Sequence, residues 1–139
     1  MKKLFYFVVT VVSLIACRKQ NATSETPGSG IVDTSAVLKY SGTFMNGPYG
    51  TVTGNARVYL QNGNYVLKLE GVNISNGPDL HVYLSKEVQP VNYINLGRLQ
   101  STGGNQVYPI TGNPDFTRYK YALVHCRQFN HLFGSALLQ

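Results

Sequence analysis

The chain has 139 residues, of which 12 are basic and 6 acidic, so its formal net charge is +6 at pH 7. This length fits a single domain. The basic residues are scattered from Arg18 to Arg127 instead of forming a stripe, which argues against nucleic acid as a partner. The sequence also lacks the short motifs of common hydrolases, nucleotide-binding enzymes, thioredoxin-like proteins and covalent c-type haem proteins.

Residues 1–16 have the pattern of a bacterial lipoprotein signal peptide. Two lysines precede an apolar run from Leu4 to Ala16, and the run leads into the lipobox LIAC. The run is too short to cross a bilayer of roughly 30 Å as a helix. We expect cleavage before Cys17 and attachment of diacylglycerol to its thiol. The membrane, reached through this lipid, is therefore a predicted partner.

Cleavage would change both the charge and the cysteine count. Loss of the two lysines leaves ten basic and six acidic residues, a net charge of about +4. Acylation consumes Cys17, so Cys126 remains as an unpaired thiol without an intramolecular disulfide. Residues 17–36 are rich in Ser, Thr, Gly and Pro and are expected to form a flexible tether. Arg18 after the acylated cysteine favours delivery to the outer membrane, so we predict a lipid-anchored protein of the cell envelope.

The segment 37–139 alternates between apolar and polar residues, with turn residues every eight to twelve positions. This pattern predicts one all-β domain, an antiparallel β-sandwich or barrel-like fold of about eight short strands. Asn62-Gly63 has the clearest hairpin signal. The predicted strands are Leu38–Met45, Thr53–Gln61, Tyr65–Glu70, Leu80–Ser85, Tyr93–Leu99, Gln106–Ile110, Tyr119–Cys126 and Leu132–Leu138.

Alternation along the strand Leu80–Ser85 predicts which of its side chains are available for chemistry. Asp79 and His81 share one face, whereas the leucines and the valine of the strand share the other and face the core. The Asp79 carboxylate has two open interpretations. It either accepts backbone N–H bonds at the start of the strand or belongs to a binding site.

The same rule places Cys126 on the inward face of its strand and His125 on the opposite face. An inward, unpaired cysteine commonly acts as a small hydrophobic residue. A redox or ligand role requires the thiolate instead. Both interpretations stay open, and in the second we expect His125 or His131 to control the proton of the thiol.

A metal site is a further possibility, because thiolate and imidazole together suit copper or zinc. The spacing Cys126-x4-His131 is similar to the end of a cupredoxin copper loop. No methionine ligand follows, since Met45 is the only methionine left after cleavage, although a backbone oxygen replaces it in some sites. Taken singly, each histidine is typical of a solvated or hydrogen-bonded surface residue.

Three segments resemble the landmarks of the electron-transfer DM-thirteen domain. They are GPDLHVYLS at 77–85, LGRLQSTGGNQVYPI at 96–110 and YALVHCRQFNHLFGSALL at 121–138. The similarity extends from about Tyr40 to Leu138. It implies a β-rich extracellular module, of a kind found in bacterial surface proteins and in animal proteins beside haem-binding cytochrome-like domains.

The resemblance also implies roles for individual residues. The characteristic cysteine of the family matches Cys126, and the family implies redox chemistry there, either as a bare thiol or by holding a prosthetic group. The GPD segment matches 77–79, and the aromatic residues after the cysteine match Phe129 and Phe133. His125 departs from the family, which often has Trp or Tyr at that position.

The sequence thus predicts a membrane-anchored extracytoplasmic module with a redox role centred on Cys126. His125 and His131 are candidate assisting residues, and His81 and Asp79 are candidate cofactor-binding residues. A redox partner protein is implied, and the cofactor is left open between none, haem and copper. The alternatives are a non-catalytic envelope-binding or structural module and an enzyme with a noncovalent cofactor.

Overall fold

The computed structural model describes residues 31–139. The predicted signal peptide lies outside the described residues, as does the predicted tether apart from 31–36. Within the described part of the chain, no helix is long and apolar enough to span a bilayer. The strands are β1 (Val37–Asn46), β2 (Val52–Gln61), β3 (Asn64–Ile74), β4 (Leu80–Ser85), β5 (Tyr93–Arg98), β6 (Gly103–Ile110), β7 (Tyr121–Cys126) and β8 (His131–Leu137).

All eight strands belong to one sheet with the order β5-β4-β7-β8-β1-β2-β3-β6. Every neighbouring pair is antiparallel. The two edge strands, β5 and β6, come into contact, so the sheet nearly closes into a barrel. The predicted all-β, barrel-like antiparallel fold is confirmed.

Alternation accounts for the interior of the barrel. Residues of one face from each strand, among them Val58, Leu69, Val82 and Val124, meet in a continuous hydrophobic core. Burial of one such side chain stabilises the fold by about 1.5–3 kcal/mol. The core therefore supplies the main driving force for closing the sheet.

The outer face of β4, β7 and β8 is also covered, which simple alternation does not predict. Tyr83, Leu123 and Leu132 form a second buried cluster there, with Tyr121 packed against it. All six residues of β4 are buried. The segment between β4 and β5 lies over this face, because Val88 lines a cleft together with Tyr121 and Leu132. Side chains on both faces of β4 and β7 are thus shielded from water.

The predicted strand boundaries agree with the structure to within two residues except in β3 and β6. Both of these strands are longer than predicted, because their pairing continues beyond a β-bulge to Val72 and Asn73. Gly71 has a φ of 57° at the shift in register, and its N–H donates to Asn105 Oδ1 at 2.8 Å. The hairpin predicted at Asn62-Gly63 is confirmed, with φ values of 50° and 78°.

A buried polar network holds the chain where the barrel closes. Gln106 is 2% exposed, and its Oε1 accepts a hydrogen bond from the Tyr108 hydroxyl at 2.7 Å. The same oxygen also accepts the backbone N–H groups of Gln100 and Ser101, both at 3.3 Å. Burial raises the pKa of Tyr108 to about 12, so the hydroxyl stays protonated and donates. These bonds join β6 to the segment that follows β5.

Replacement of Gln106 by Met should lower the free energy of unfolding by about 2–3 kcal/mol, because it leaves several buried polar groups without a partner. Urea denaturation followed by circular dichroism measures the change. The matched replacement Gln128→Met, at an exposed turn position, should change stability by less than about 0.5 kcal/mol. Equal effects of the two variants would show that the network does not stabilise the closure.

Candidate functional site

Cys126 is the last residue of β7, and its side chain lies in the core, with 1% exposure. Leu80 on β4 is its direct cross-strand partner, and Val124 lies on the same face of β7. The thiol is free. The inward orientation expected from alternation is confirmed, and it surrounds the sulfur with the hydrophobic interior.

The end of the core that holds Cys126 is closed by the GPD segment. A Cβ atom at Gly77 would lie 2.8 Å from Leu80 Cδ2 and 2.8 Å from Phe133 Cζ, so the backbone of this segment packs directly on both side chains. Phe133 is 6% exposed, whereas Phe129 is 55% exposed. Of the two aromatic residues that match the family, Phe133 is the one that covers this end of the core.

The three histidines do not converge on Cys126. His81 and His125 are direct cross-strand partners on the outer face, where Leu132 of β8 is the other neighbour of His125. The ring of His131 stacks on Tyr49, with 3.7 Å between centroids and 2° between planes. The structure therefore places His81 and His125 on the face opposite Cys126, whereas His131 is the cross-strand partner of Cys126 on β8.

The described residues do not provide a set of side-chain ligands for the copper considered from the sequence. Residues 31–139 contain no group of three or more His, Cys, Asp or Glu side chains that could hold a metal ion. Cys126 also lines neither the cleft beside Gly77 and Leu80 nor the cleft beside Met45 and Leu137. For the cupredoxin pattern Cys126-x4-His131, the structure pairs the two residues across β7 and β8, but the ring of His131 stacks on Tyr49 and no third ligand joins them within residues 31–139. The cupredoxin alternative therefore finds no support there.

Asp79 is the centre of a charged cluster on the outer face. Its Oδ1 lies 3.1 Å from His81 Nε2, and its Oδ2 accepts a hydrogen bond from Arg127 Nε at 3.0 Å. The Arg98 guanidinium lies 4.0 Å from Oδ1 and donates to the Pro78 carbonyl at 3.1 Å. The carboxylate therefore binds side chains, not the backbone N–H groups expected of a simple turn residue.

The protonation of Asp79 follows from these contacts. Partial burial acts to raise its pKa, but the hydrogen bonds from Arg127 and His81, together with their charges, outweigh burial and hold the pKa below its usual 3.8. The carboxylate is consequently charged at neutral pH. It ties the loop after β7, through Arg127, to the start of β4.

Each ring nitrogen of His81 faces an oxygen. Nε2 donates to Asp79, and Nδ1 lies 3.3 Å from Asn95 Oδ1. The same Asn95 oxygen accepts the N–H of Gly97 at 2.9 Å, which identifies it as an acceptor. His81 is 7% exposed, and its surroundings hold the ring in one orientation.

His125 has the opposite environment. It is 3% exposed, and within residues 31–139 neither ring nitrogen has a hydrogen-bond partner of good geometry. Burial lowers its pKa from the ordinary 6.5 by more than the nearby Asn130 side chain raises it, and the charges of His131 and His81 add to the lowering. The expectation of a solvated or hydrogen-bonded surface histidine was therefore wrong here, because the second buried cluster covers this ring.

The burial of His125 predicts a stability that depends on pH. Its folded-state pKa lies below the unfolded value of 6.5, so the unfolded chain binds more protons between these two values. Stability should be complete above about pH 6.5 and should fall as the pH drops below it. Urea denaturation between pH 7.5 and 4.5 measures the slope. His125→Phe should flatten the slope, and the control His131→Gln should keep most of it because burial, not His131, is the main cause of the shift. An unchanged slope in His125→Phe would contradict the assignment.

Sequence reasoning missed Tyr83, which is 1% exposed beside these histidines. Its ring stacks on Tyr93 at 4.2 Å and lies 5.4 Å from the ring of His125. Burial and the neighbouring Tyr93 raise its pKa to about 12. The signal was present, because Tyr83 follows His81 by two residues and shares its face, but only the pairing of β4 with β7 brings it to His125.

Comparison with known proteins identifies a family for this domain. The model of the family described as electron transfer DM13 matches residues 43–138, which covers more than half of the chain. No curated protein and no solved structure matches the chain. The matched range includes all three landmark segments, and with them the GPD segment and Cys126. The chain belongs to the electron-transfer DM13 family.

Proposed function

We propose that the mature chain is a lipid-anchored, extracytoplasmic electron-transfer domain in which Cys126 is the group that is oxidised and reduced. The observation that carries the proposal is the family match over residues 43–138, in which Cys126 is the only cysteine. The lipobox before Cys17 supports export and anchoring. Arg18 supports delivery to the outer membrane, where a redox partner protein of the envelope would meet the domain.

The redox step that a bare thiol can perform is exchange with a disulfide. The Cys126 thiolate attacks one sulfur of a partner disulfide, a new S–S bond forms, and the S–S bond of the partner breaks. The displaced partner thiolate takes up the proton that Cys126 has lost. The sulfur of Cys126 is thereby oxidised and the leaving sulfur is reduced.

Access to the sulfur sets the condition for this step. Cys126 is 1% exposed, and Gly77, Leu80 and Phe133 close the end of the core that holds it. Exchange therefore requires local opening of the GPD segment, a motion that can occur while the rest of the barrel stays folded. Because His125 faces away from the thiol, the proton leaves to solvent or to the partner during opening.

The experiment uses the full-length lipoprotein in detergent, equilibrated with reduced and oxidised glutathione at a series of ratios. Mass spectrometry of the native protein counts the chains that carry one glutathione on Cys126. We expect reversible formation of this mixed disulfide in the wild type and none in Cys126→Ser, whose only other cysteine is acylated. A wild-type protein that stays reduced at every ratio while folded, and reacts only in urea, would overturn the proposal.

The burial of Cys126 favours a second candidate function, a non-catalytic envelope-binding or structural module. In that case the thiol is a small hydrophobic core residue. Cys126→Ala would then retain every cellular function of the domain with only a modest loss of stability. Under the first proposal the same variant folds but loses its redox phenotype, so one variant separates the two functions.

A further inference from the structure

A cleft of about 500 Å³ lies on the outer face of the barrel, away from Cys126. Its walls come from the end of β1, the turn after it, β8, the start of β7 and the segment between β4 and β5. The residues that line it are Met45, Asn46, Gly47, Pro48, Val88, Gln89, Tyr121, Leu132, Ser135 and Leu137. This volume falls within the range of clefts that bind small molecules.

The walls of the cleft are mostly apolar and carry no charged side chain. Met45 is 72% exposed, Leu137 40% and Val88 38%, so three large hydrophobic side chains of one cleft are open to solvent. The ring of Tyr121 and the side chain of Leu132 belong to the second buried cluster. Thioether sulfur and a phenol ring both make favourable contacts with aromatic molecules. The absence of charged residues among those that line the cleft disfavours an ionic ligand.

Asn46 gives the cleft a polar group of fixed orientation. Its Oδ1 accepts the backbone N–H of Val52 at 2.9 Å, and this bond determines which end of the amide is oxygen. Asn46 lines the cleft, and its NH₂ end is left free of the Val52 bond to serve as a donor. Gln89 and Ser135 add an amide and a hydroxyl to the same walls. The cleft thus offers hydrogen-bond donors to oxygen acceptors on an otherwise apolar molecule.

We propose that this cleft binds a flat, uncharged aromatic molecule that carries carbonyl acceptors, the chemistry of a quinone ring. The ring packs between Met45, Leu137 and Tyr121, and one carbonyl accepts a hydrogen bond from the Asn46 amide. The site does not involve Cys126. It goes beyond the proposed thiol chemistry, and its test is independent of that proposal.

The experiment measures binding of duroquinone to the full-length protein in detergent by isothermal titration calorimetry, with a detergent-only titration subtracted. The four methyl groups of duroquinone block addition of a thiol to its ring, so covalent reaction with Cys126 does not confuse the result. We expect a dissociation constant on the order of 10–100 µM for a ligand of this size. Durene, the tetramethylbenzene without carbonyls, should bind about tenfold more weakly because it cannot accept the Asn46 bond.

Two variants locate the site. Asn46→Asp keeps the oxygen that accepts the Val52 N–H but loses the donor, and Met45→Glu places a charge in the wall at an exposed position. Each should weaken duroquinone binding about tenfold or more. The matched control Val91→Glu, which is 75% exposed and outside the cleft, should leave binding unchanged. The assignment would be overturned if durene bound as tightly as duroquinone or if either cleft variant kept wild-type binding of duroquinone. It would also be overturned if the wild type did not bind duroquinone.

Discussion

In the folded domain, Cys126 is expected to react with N-ethylmaleimide about a thousandfold more slowly than in the chain unfolded in urea. The reason is that the thiol is 1% exposed and reacts only when the GPD segment opens. Local opening that costs about 4 kcal/mol slows a reaction by about that factor. The second-order rate constant, measured by mass spectrometry in native buffer and in urea after correction for the effect of urea on a free thiol, gives the ratio.

Gly77→Val should raise the native rate at least about tenfold, because its side chain would push Leu80 and Phe133 apart at the end of the core. Val58→Ala is the matched control, since it weakens the core at β2, which pairs with β1 and β3 and not with β4 or β7. If the rate rises equally in both variants, the thiol is exposed by global unfolding and the GPD segment is not a local gate. If the rate rises only in Gly77→Val, the segment controls access to Cys126.

These two outcomes bear directly on the proposed function. A local gate lets a partner reach the sulfur without unfolding the barrel, which an electron-transfer role requires. If the thiol is exposed only by global unfolding, Cys126 serves as a core residue. That result favours the binding or structural module. The position of Cys126 at the end of β7, directly before the turn 127–130, is where a strand frays first, so the gate is the expected result.

Local patterns were sufficient to predict the strands. Alternation located β4 from Leu80 to Ser85, and the Asn62-Gly63 signal fixed the β2–β3 hairpin. The same rule placed Cys126 inside and His125 outside. Period-two alternation depends only on neighbouring residues, so the face that a side chain occupies does not depend on the rest of the fold.

The surroundings of the outer face could not be predicted in this way. Burial of His125 depends on Tyr83 of β4 and Leu132 of β8, and the pairing of three strands distant in sequence decides it. The contact of Asp79 with Arg127 spans 48 residues. Alternation states which face a side chain occupies, but what covers that face is a property of the whole sheet.

The structure consequently separates features that the sequence had combined into one site. Cys126 lies in the core, whereas His81, His125 and Asp79 form a charged and aromatic layer on the other side of the same strands. Through Arg127, this layer connects the start of β4 to the turn after β7. Both of these parts of the chain lie beside the GPD segment, which covers the thiol. We infer that the role of this layer toward Cys126 is to hold that end of the barrel together, not to exchange protons with the sulfur.

Phe133→Ala should lower the free energy of unfolding by about 3–5 kcal/mol, the usual loss for a buried phenylalanine that leaves a cavity. Its ring is 6% exposed and packs so closely on two backbone segments that added Cβ atoms at Gly50 and Gly77 would overlap it. Phe129→Ala, in the same hairpin but 55% exposed, should change stability by less than about 0.5 kcal/mol. Urea denaturation gives both values, and maleimide labelling of the same samples should show faster reaction of Cys126 only in Phe133→Ala. Comparable losses in the two variants would mean that Phe133 does not close the core, because a true closing residue must differ sharply from an exposed residue of the same type.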